Sequence, residues 1–144
     1  MEEKLLHDQD FYQWTQEQVS LMKTGAYDQI DWEHVIEEIE EMGIALRRQL
    51  ASRLKVLFAH MLKWQYQPEK RSKSWEVTIA TQKEEIRELL EDAPSLRNHL
   101  PDLVPRSYER ARRLASLETG LPLETFPESC PFHWDIDTEI QKNA

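Results

Sequence analysis

Residues 31–66, DWEHVIEEIEEMGIALRRQLASRLKVLFAHMLKWQY, decide the fold of this chain. Their large apolar side chains recur in steps of three and four, with a mean of about 3.6 residues, the period of an α-helix. The positions are Trp32, Val35, Ile39, Met42, Leu46, Leu50, Leu54, Leu57, Met61 and Trp64. Because the period keeps its phase across Gly43, we predict one long helix from about 31 to 66, with Gly43 as a point where it can bend. Asp31 is a suitable N-cap, and Pro68 ends the helix.

Shorter helices are predicted on both sides of this segment. Asp10 can cap a helix that precedes it, and Gly25 is placed to end that helix. Ser72 or Ser74 can cap a further helix with apolar residues at helical spacing, which Pro94 terminates. No stretch of the sequence has the alternating pattern of a strand.

The last third of the chain is more broken, because six of the seven prolines lie between residues 94 and 131. Pro101 and Pro105 each suit the first turn of a fourth helix, which closes at Gly120. We expect an extended, proline-rich segment after Gly120 and a short helix around residues 135–141. The predicted fold is an all-α, single-domain helical bundle of residues 1–144 built around the long helix.

Composition limits the classes of protein to which this chain can belong. It has 144 residues, a net charge of -9, three glycines and one cysteine. One cysteine excludes a disulfide framework, and no apolar run approaches the ~20 residues of a membrane span. The first ten residues lack the basic and apolar regions of an export signal. We therefore expect a cytoplasmic protein that does not act at a membrane.

Charge is strongly segregated along the chain. Residues 1–44 carry 2 basic and 12 acidic side chains, whereas residues 45–75 carry 8 basic and 1 acidic. The acidic and basic segments can screen one another within the molecule, since exposed charges are usually solvated. The alternative is that the basic segment presents a surface to a partner.

Several motifs occur together in one order along the chain. They are DFYQW at 10–14, EEIEEMG at 37–43, LKWQYQPEKRSKSW at 62–75, YERARRLASLETGLP at 108–122 and TFPESCPF at 125–132. Over residues 10–135 the sequence resembles the domain of unknown function 29 family. The resemblance implies a compact all-helical fold in a small bacterial, largely cyanobacterial, protein. The family has no established activity, cofactor or site residue to carry over.

Metal and catalytic motifs are weak. His34 lies at helical spacing from Asp31 and Glu37, which in so acidic a helix is typical of a solvated face. Cys130 and His133 could provide two zinc ligands but have no second pair at matching spacing. We therefore expect neither a metal nor a cofactor. No G-x-S-x-G, H-E-x-x-H or glycine-rich phosphate loop occurs, although a scattered acid–base pair, such as a hydrolase site near His34 and Glu37, stays open.

The stretch from 63 to 75, called the junction below, combines cations with aromatic rings where two helices meet. Its members are Lys63, Trp64, Tyr66, Lys70, Arg71, Lys73 and Trp75. Such a combination is typical of a hot spot for a protein partner and equally of a single-strand nucleic-acid site. A third interpretation is structural: Trp64 and Trp75 are in phase with the apolar faces of their helices and can pin them together.

Three arginines can extend the junction's basic surface. Arg106, Arg110 and Arg113 lie at i, i+4 and i+7 on one face of the fourth helix. Our leading hypothesis is a non-catalytic interaction module that binds a protein partner or a second copy of itself through these residues. The alternative is a nucleic-acid-associated protein, nuclease-like or part of a toxin–antitoxin pair, that uses the same residues.

Overall fold

A computed structural model describes residues 5–132 of the chain. These residues form helices and turns and contain no strand, which confirms the all-α fold class. The α-helices are α1 (Leu6–Gln9), α2 (Phe11–Lys23), α3 (Trp32–Tyr66), α4 (Lys73–Asp92) and α5 (Leu100–Thr119). Short 3-10 helices at Tyr27–Gln29, Pro68–Lys70, Pro94–His99 and Leu123–Thr125 connect or follow them. Within the described part, no helix is both long and apolar enough to cross a membrane.

The predicted long helix is confirmed as α3, which runs without interruption through Gly43. Its start uses Asp31 as expected, since the Asp31 carboxylate accepts a hydrogen bond from the His34 backbone N–H. The predicted caps at Asp10 and Ser72 are also confirmed, because their side chains accept from the N–H groups of Gln13 and Trp75. In each case the capping side chain accepts from an N–H group only three residues later, so the cap can be identified from the sequence alone.

The fourth predicted helix, α5, begins earlier than the prolines indicated. It starts at Leu100, so Pro101 lies in the first turn while Pro105 lies inside the helix. Pro105 has no N–H to donate to the carbonyl of Pro101, but Pro101 is exposed and its carbonyl can meet water. Gly120 ends the helix with φ of 75°, in the left-handed region that favours glycine.

The described residues group into two compact units, divided between Ala45 and Leu46. In the first unit Trp14, Ile30 and Val35 form a small core. The predicted single domain stays a prediction. The short α1, which the sequence did not suggest, belongs to this first unit.

The second unit contains the larger core, built from α3, α4, α5 and the segment after Gly120. Its fully buried members include Leu50, Leu54 and Leu57, each with 0% exposure, which belong to the periodic apolar positions predicted for α3. Each such side chain contributes roughly 1.5–3 kcal/mol through burial. The periodic apolar positions are not all buried, however, because Trp32, Ile39, Met42 and Leu46 are exposed.

The proline-rich segment packs on this core. Phe126 is 1% exposed and its carbonyl oxygen accepts a hydrogen bond from Arg112. The Tyr108 hydroxyl donates to the Pro127 carbonyl. The short helix predicted around residues 135–141 lies outside the described residues.

Candidate functional site

The junction is shaped by a proline and a serine. Pro68 begins the 3-10 turn after α3, and Ser72 caps α4 four residues later. Gln67, the residue before Pro68, is buried, and its N–H donates to the Lys63 carbonyl as the last hydrogen bond of the helix. The two helices are therefore joined by a short, hydrogen-bonded turn, which holds the intervening side chains in defined places.

Arg71 lies against Trp64. Its Nε donates to the Trp64 carbonyl oxygen at 2.8 Å, and its guanidinium carbon is 4.9 Å from the centre of the Trp64 ring. This combines a hydrogen bond at the end of α3 with a cation–π contact. The guanidinium is thus held in place by the protein itself.

Lys63 points into the second unit. The residue is 7% exposed, and its Nζ is 2.5 Å from Glu118 on α5 and 5.3 Å from the centre of the Trp75 ring on α4. A buried ammonium needs such partners, since an unpaired charge there would be strongly unfavourable. Lys63, predicted as a partner-binding residue, therefore links α3 to α4 and α5 in the interior.

The other junction residues divide between core and solvent. Tyr66 is half-buried and packs edge-on against Phe126, with the two ring centres 5.4 Å apart. Trp75 is half-buried beneath Lys63, as the structural interpretation of that residue expects. Lys70 and Lys73 are exposed, and Lys73 lies 3.6 Å from Glu76 in a surface pair that contributes little stability.

The three arginines of α5 share an exposed face. Arg106 lies 3.4 Å from Asp102 and Arg113 lies 2.7 Å from Glu109, each one helical turn earlier. Arg110 is exposed. Within residues 5–132, no hydrogen bond or ion pair joins any of the three to the junction. The structure thus does not tie them to one site with Lys70, Arg71 and Lys73.

A cavity of about 420 Å³, called the junction cavity, opens beside Trp64 and Arg71. Its remaining walls come from α3, α4 and the end of the proline-rich segment: Met61, Gln65, Glu76, Ile79 and Phe132. Four of the seven lining residues are apolar or aromatic, and one cation, one carboxylate and the amide of Gln65 supply the polar groups. A cavity of this volume and composition can accept an apolar side chain of a partner or a small apolar ligand.

A second cavity, of about 620 Å³, includes Tyr108, Arg112 and Cys130 in its lining. Burial raises the pKa of the Cys130 thiol above its usual value. Burial is also the largest of the causes that raise the pKa of Tyr108 to about 12. Both groups therefore stay protonated at neutral pH. A thiol in this state is a weak nucleophile, so this cavity does not contain an activated cysteine.

The first unit contains a group that the sequence revealed only in part, called the histidine cluster: His7, Asp8, Asp31, His34 and Glu38. The rings of His7 and His34 stack with their centres 4.2 Å apart. His34 Nδ1 is 2.7 Å from Asp31, whereas His7 Nδ1 and Nε2 are 2.9 Å from Asp8 and 2.6 Å from Glu38. Chiefly through the hydrogen bond with Glu38, the pKa of His7 is raised.

This arrangement differs from the expectation of a solvated face. The His34 side chain is only 15% exposed and pairs with Asp31, while Glu37 is exposed and takes no part in the cluster. Burial alone would raise the pKa of Asp31, but hydrogen bonds from His34 and Trp14 bring it below its usual value. The spacing of Asp31 and His34 was the one sequence signal, and it could not identify His7, 27 residues earlier.

Comparisons with known proteins place the chain by sequence. Residues 6–140 match the model of a family described as domain of unknown function DUF29. No curated protein and no solved structure matches the chain. Since the match covers nearly all of the sequence, the chain belongs to the DUF29 family.

Proposed function

We propose that the protein is a non-catalytic interaction module of the bacterial cytoplasm, and that the junction cavity receives an apolar side chain from a protein partner. The observation that carries this proposal is the cavity of about 420 Å³ with Trp64 and Arg71 at its edge. Tryptophan and arginine are the residues most enriched at the energetic centres of protein interfaces.

The edge of the cavity is already organised for binding. Arg71 is held by its hydrogen bond to Trp64 and by stacking on the same ring, so little side-chain freedom remains to be lost when a partner arrives. Lys70 and Lys73 extend into solvent beside it, where they can attract an acidic rim on a partner.

Charge pairing favours a protein partner over nucleic acid. Lys63 is occupied by Glu118, and Lys73, Arg106 and Arg113 each have a carboxylate within 4 Å. A nucleic-acid site depends on cations that can replace the counterions of phosphates. Cations that are already paired within the chain supply less of that binding energy, and the net charge of -9 opposes it further.

The test is binding to the lysate of the source bacterium, with and without nuclease. We expect a partner that remains after nuclease treatment and at high salt, and that loses affinity by about tenfold or more when Trp64→Ala or Arg71→Ala is introduced. Tyr12→Ala is the matched control, because Tyr12 is an aromatic residue on α2, 73% exposed, and lies outside the junction. Binding that disappears with nuclease or salt, or that Trp64→Ala leaves unchanged, would contradict this assignment.

A second observation favours self-association. Trp32, Ile36, Ile39 and Met42 on α3 are 49%, 53%, 63% and 68% exposed. Gly43 continues the face of Ile36 and Ile39, and a Cβ there would meet nothing within 4 Å. Glycine in a helix interior is less favourable than alanine by about 1 kcal/mol, and nothing within the described chain requires it. Close approach of a second backbone along this face would explain both features, so we propose a second copy as its occupant.

Sedimentation equilibrium tests this second copy directly. We expect the protein to sediment above its monomer mass of 17.2 kDa at micromolar concentration. Ile39→Glu with Met42→Glu should restore the monomer, because carboxylates in the apolar face would be desolvated on pairing. Val77→Glu, at a 52% exposed position on α4, is the control and should leave the mass unchanged. A wild-type protein that is monomeric throughout would exclude self-association.

A further inference from the structure

We propose that His7, Asp8 and His34 form a binding site for one divalent transition-metal ion of the zinc class. One ligand atom from each of the three residues lies within 4.8 Å of the other two. Tetrahedral zinc with metal–ligand bonds of about 2.0–2.2 Å holds its ligand atoms about 3.3–3.6 Å apart. The three atoms must therefore approach one another by at most about 1.5 Å, which rotation of the side chains and a turn of each imidazole ring can provide.

The surrounding hydrogen bonds have the pattern of a metal site. Metal-binding histidines almost always donate the second ring N–H to a carboxylate or carbonyl, which fixes the tautomer. His34 has Asp31 at 2.7 Å on Nδ1, which leaves Nε2 to face an ion, and His7 has Glu38 at 2.6 Å on Nε2, which leaves Nδ1. Both histidines thus have a carboxylate in the supporting position.

A third ligand is already next to His7. Asp8 lies 2.9 Å from His7 Nδ1, so an ion would replace that hydrogen bond and bind both groups. Asp31 is itself held by Trp14, whose Nε1 donates to the same carboxylate oxygen at 3.0 Å. The support for His34 therefore extends into the buried core of the first unit.

The negative charge of this region favours a bound cation. The cluster contains three carboxylates, and Lys23 is the sole lysine or arginine between residues 5 and 45. Two imidazoles with one carboxylate suit zinc, cobalt or nickel better than magnesium or calcium, which prefer oxygen ligands throughout. The 13% and 15% exposure of the His7 and His34 side chains leaves an entry from solvent.

Binding would change the geometry of the two rings. They now stack at an interplanar angle of 13°, and parallel rings cannot direct both nitrogens at one ion. Each ring must turn, so the stacking is lost when the ion binds. This gives a readout independent of affinity, because the ring protons of His7 and His34 will shift together in NMR spectra.

The experiment uses the untagged protein, titrated with Zn²⁺ by calorimetry and with Co²⁺ by visible absorption. We expect one ion per chain, with affinity reduced by at least about 30-fold in His7→Ala and in His34→Ala. Asp31→Asn should reduce it by about 10- to 100-fold, the usual effect of losing a supporting carboxylate. Asparagine caps helices as well as aspartate does, so this variant keeps the start of α3. His99→Ala, an exposed histidine outside the cluster, is the matched control and should bind as the wild type does.

The NMR measurement keeps the proposal testable if an alanine variant fails to fold. Zn²⁺ added to the wild-type protein should shift the His7 and His34 ring signals and leave those of His99 in place. No stoichiometric binding by the wild type, equal binding by His7→Ala and His34→Ala variants that are folded, or unmoved ring signals would each overturn the site.

Discussion

Phe126→Ala is expected to lower the free energy of unfolding by about 3–5 kcal/mol, the usual range for removing a buried phenylalanine. Phe126 is 1% exposed and lies on the proline-rich segment after Gly120. Its ring meets the edge of Tyr66, with centres 5.4 Å apart, and packs among the core side chains of α3, α4 and α5. Alanine would leave a cavity that helices fixed on three sides cannot close.

Urea denaturation followed by circular dichroism measures this loss. Leu117→Ala is the control, because Leu117 is also a large apolar residue in the second unit but is 81% exposed. We expect the control to change stability by no more than about 0.5 kcal/mol. A Phe126→Ala protein as stable as the control would mean that the segment after Gly120 is not part of the core.

Lys63→Glu is expected to lower the free energy of unfolding by about 3–5 kcal/mol, because position 63 is buried and the new carboxylate would have no cation beside it. The substitution would bring a second carboxylate beside Glu118 and remove the cation from Trp75. Lys63→Met should be far milder, at about 1 kcal/mol or less, because it keeps the length of the side chain and removes the buried charge. Glu118 is 41% exposed and can be hydrated when it loses its partner.

The contrast with Lys70→Glu separates a core lysine from a surface lysine in the same junction. Lys70 is exposed, so its reversal should change stability by no more than about 0.5 kcal/mol. Thermal and urea unfolding of the three variants give the comparison. If Lys63→Glu is as stable as Lys70→Glu, then Lys63 does not link the helices in the way its contacts indicate.

The helices themselves could be predicted because their signals are local. The period of α3, the caps at Asp10, Asp31 and Ser72, and the left-handed Gly120 each act over a few residues. Pro105 is the exception. The sequence around a proline is the same whether the proline lies in the first turn of a helix or in the next turn, and only the start of α5 at Leu100 shows that Pro105 lies inside the helix.

The junction could be located from the sequence, but the roles of its residues could not. The same aromatic and basic residues suited a protein site, a nucleic-acid site and a structural link. Lys63 is a core residue because of Glu118, which lies 55 residues later. Trp64 and Arg71 are candidates for binding because Ile79 and Phe132 complete a cavity beside them.

By itself, the sequence determined an all-α chain, its long central helix and its membership of the DUF29 family, since hydrogen bonds, caps and motifs within a few residues carry that information. The tertiary structure decided which of the periodic apolar positions of α3 are buried and which junction cations face solvent. It also decided that the rings of His7 and His34 are in contact. These outcomes depend on contacts between residues far apart in the chain. Helical periodicity shows on which face of a helix a residue lies, but it does not show which residue of another element packs against that face.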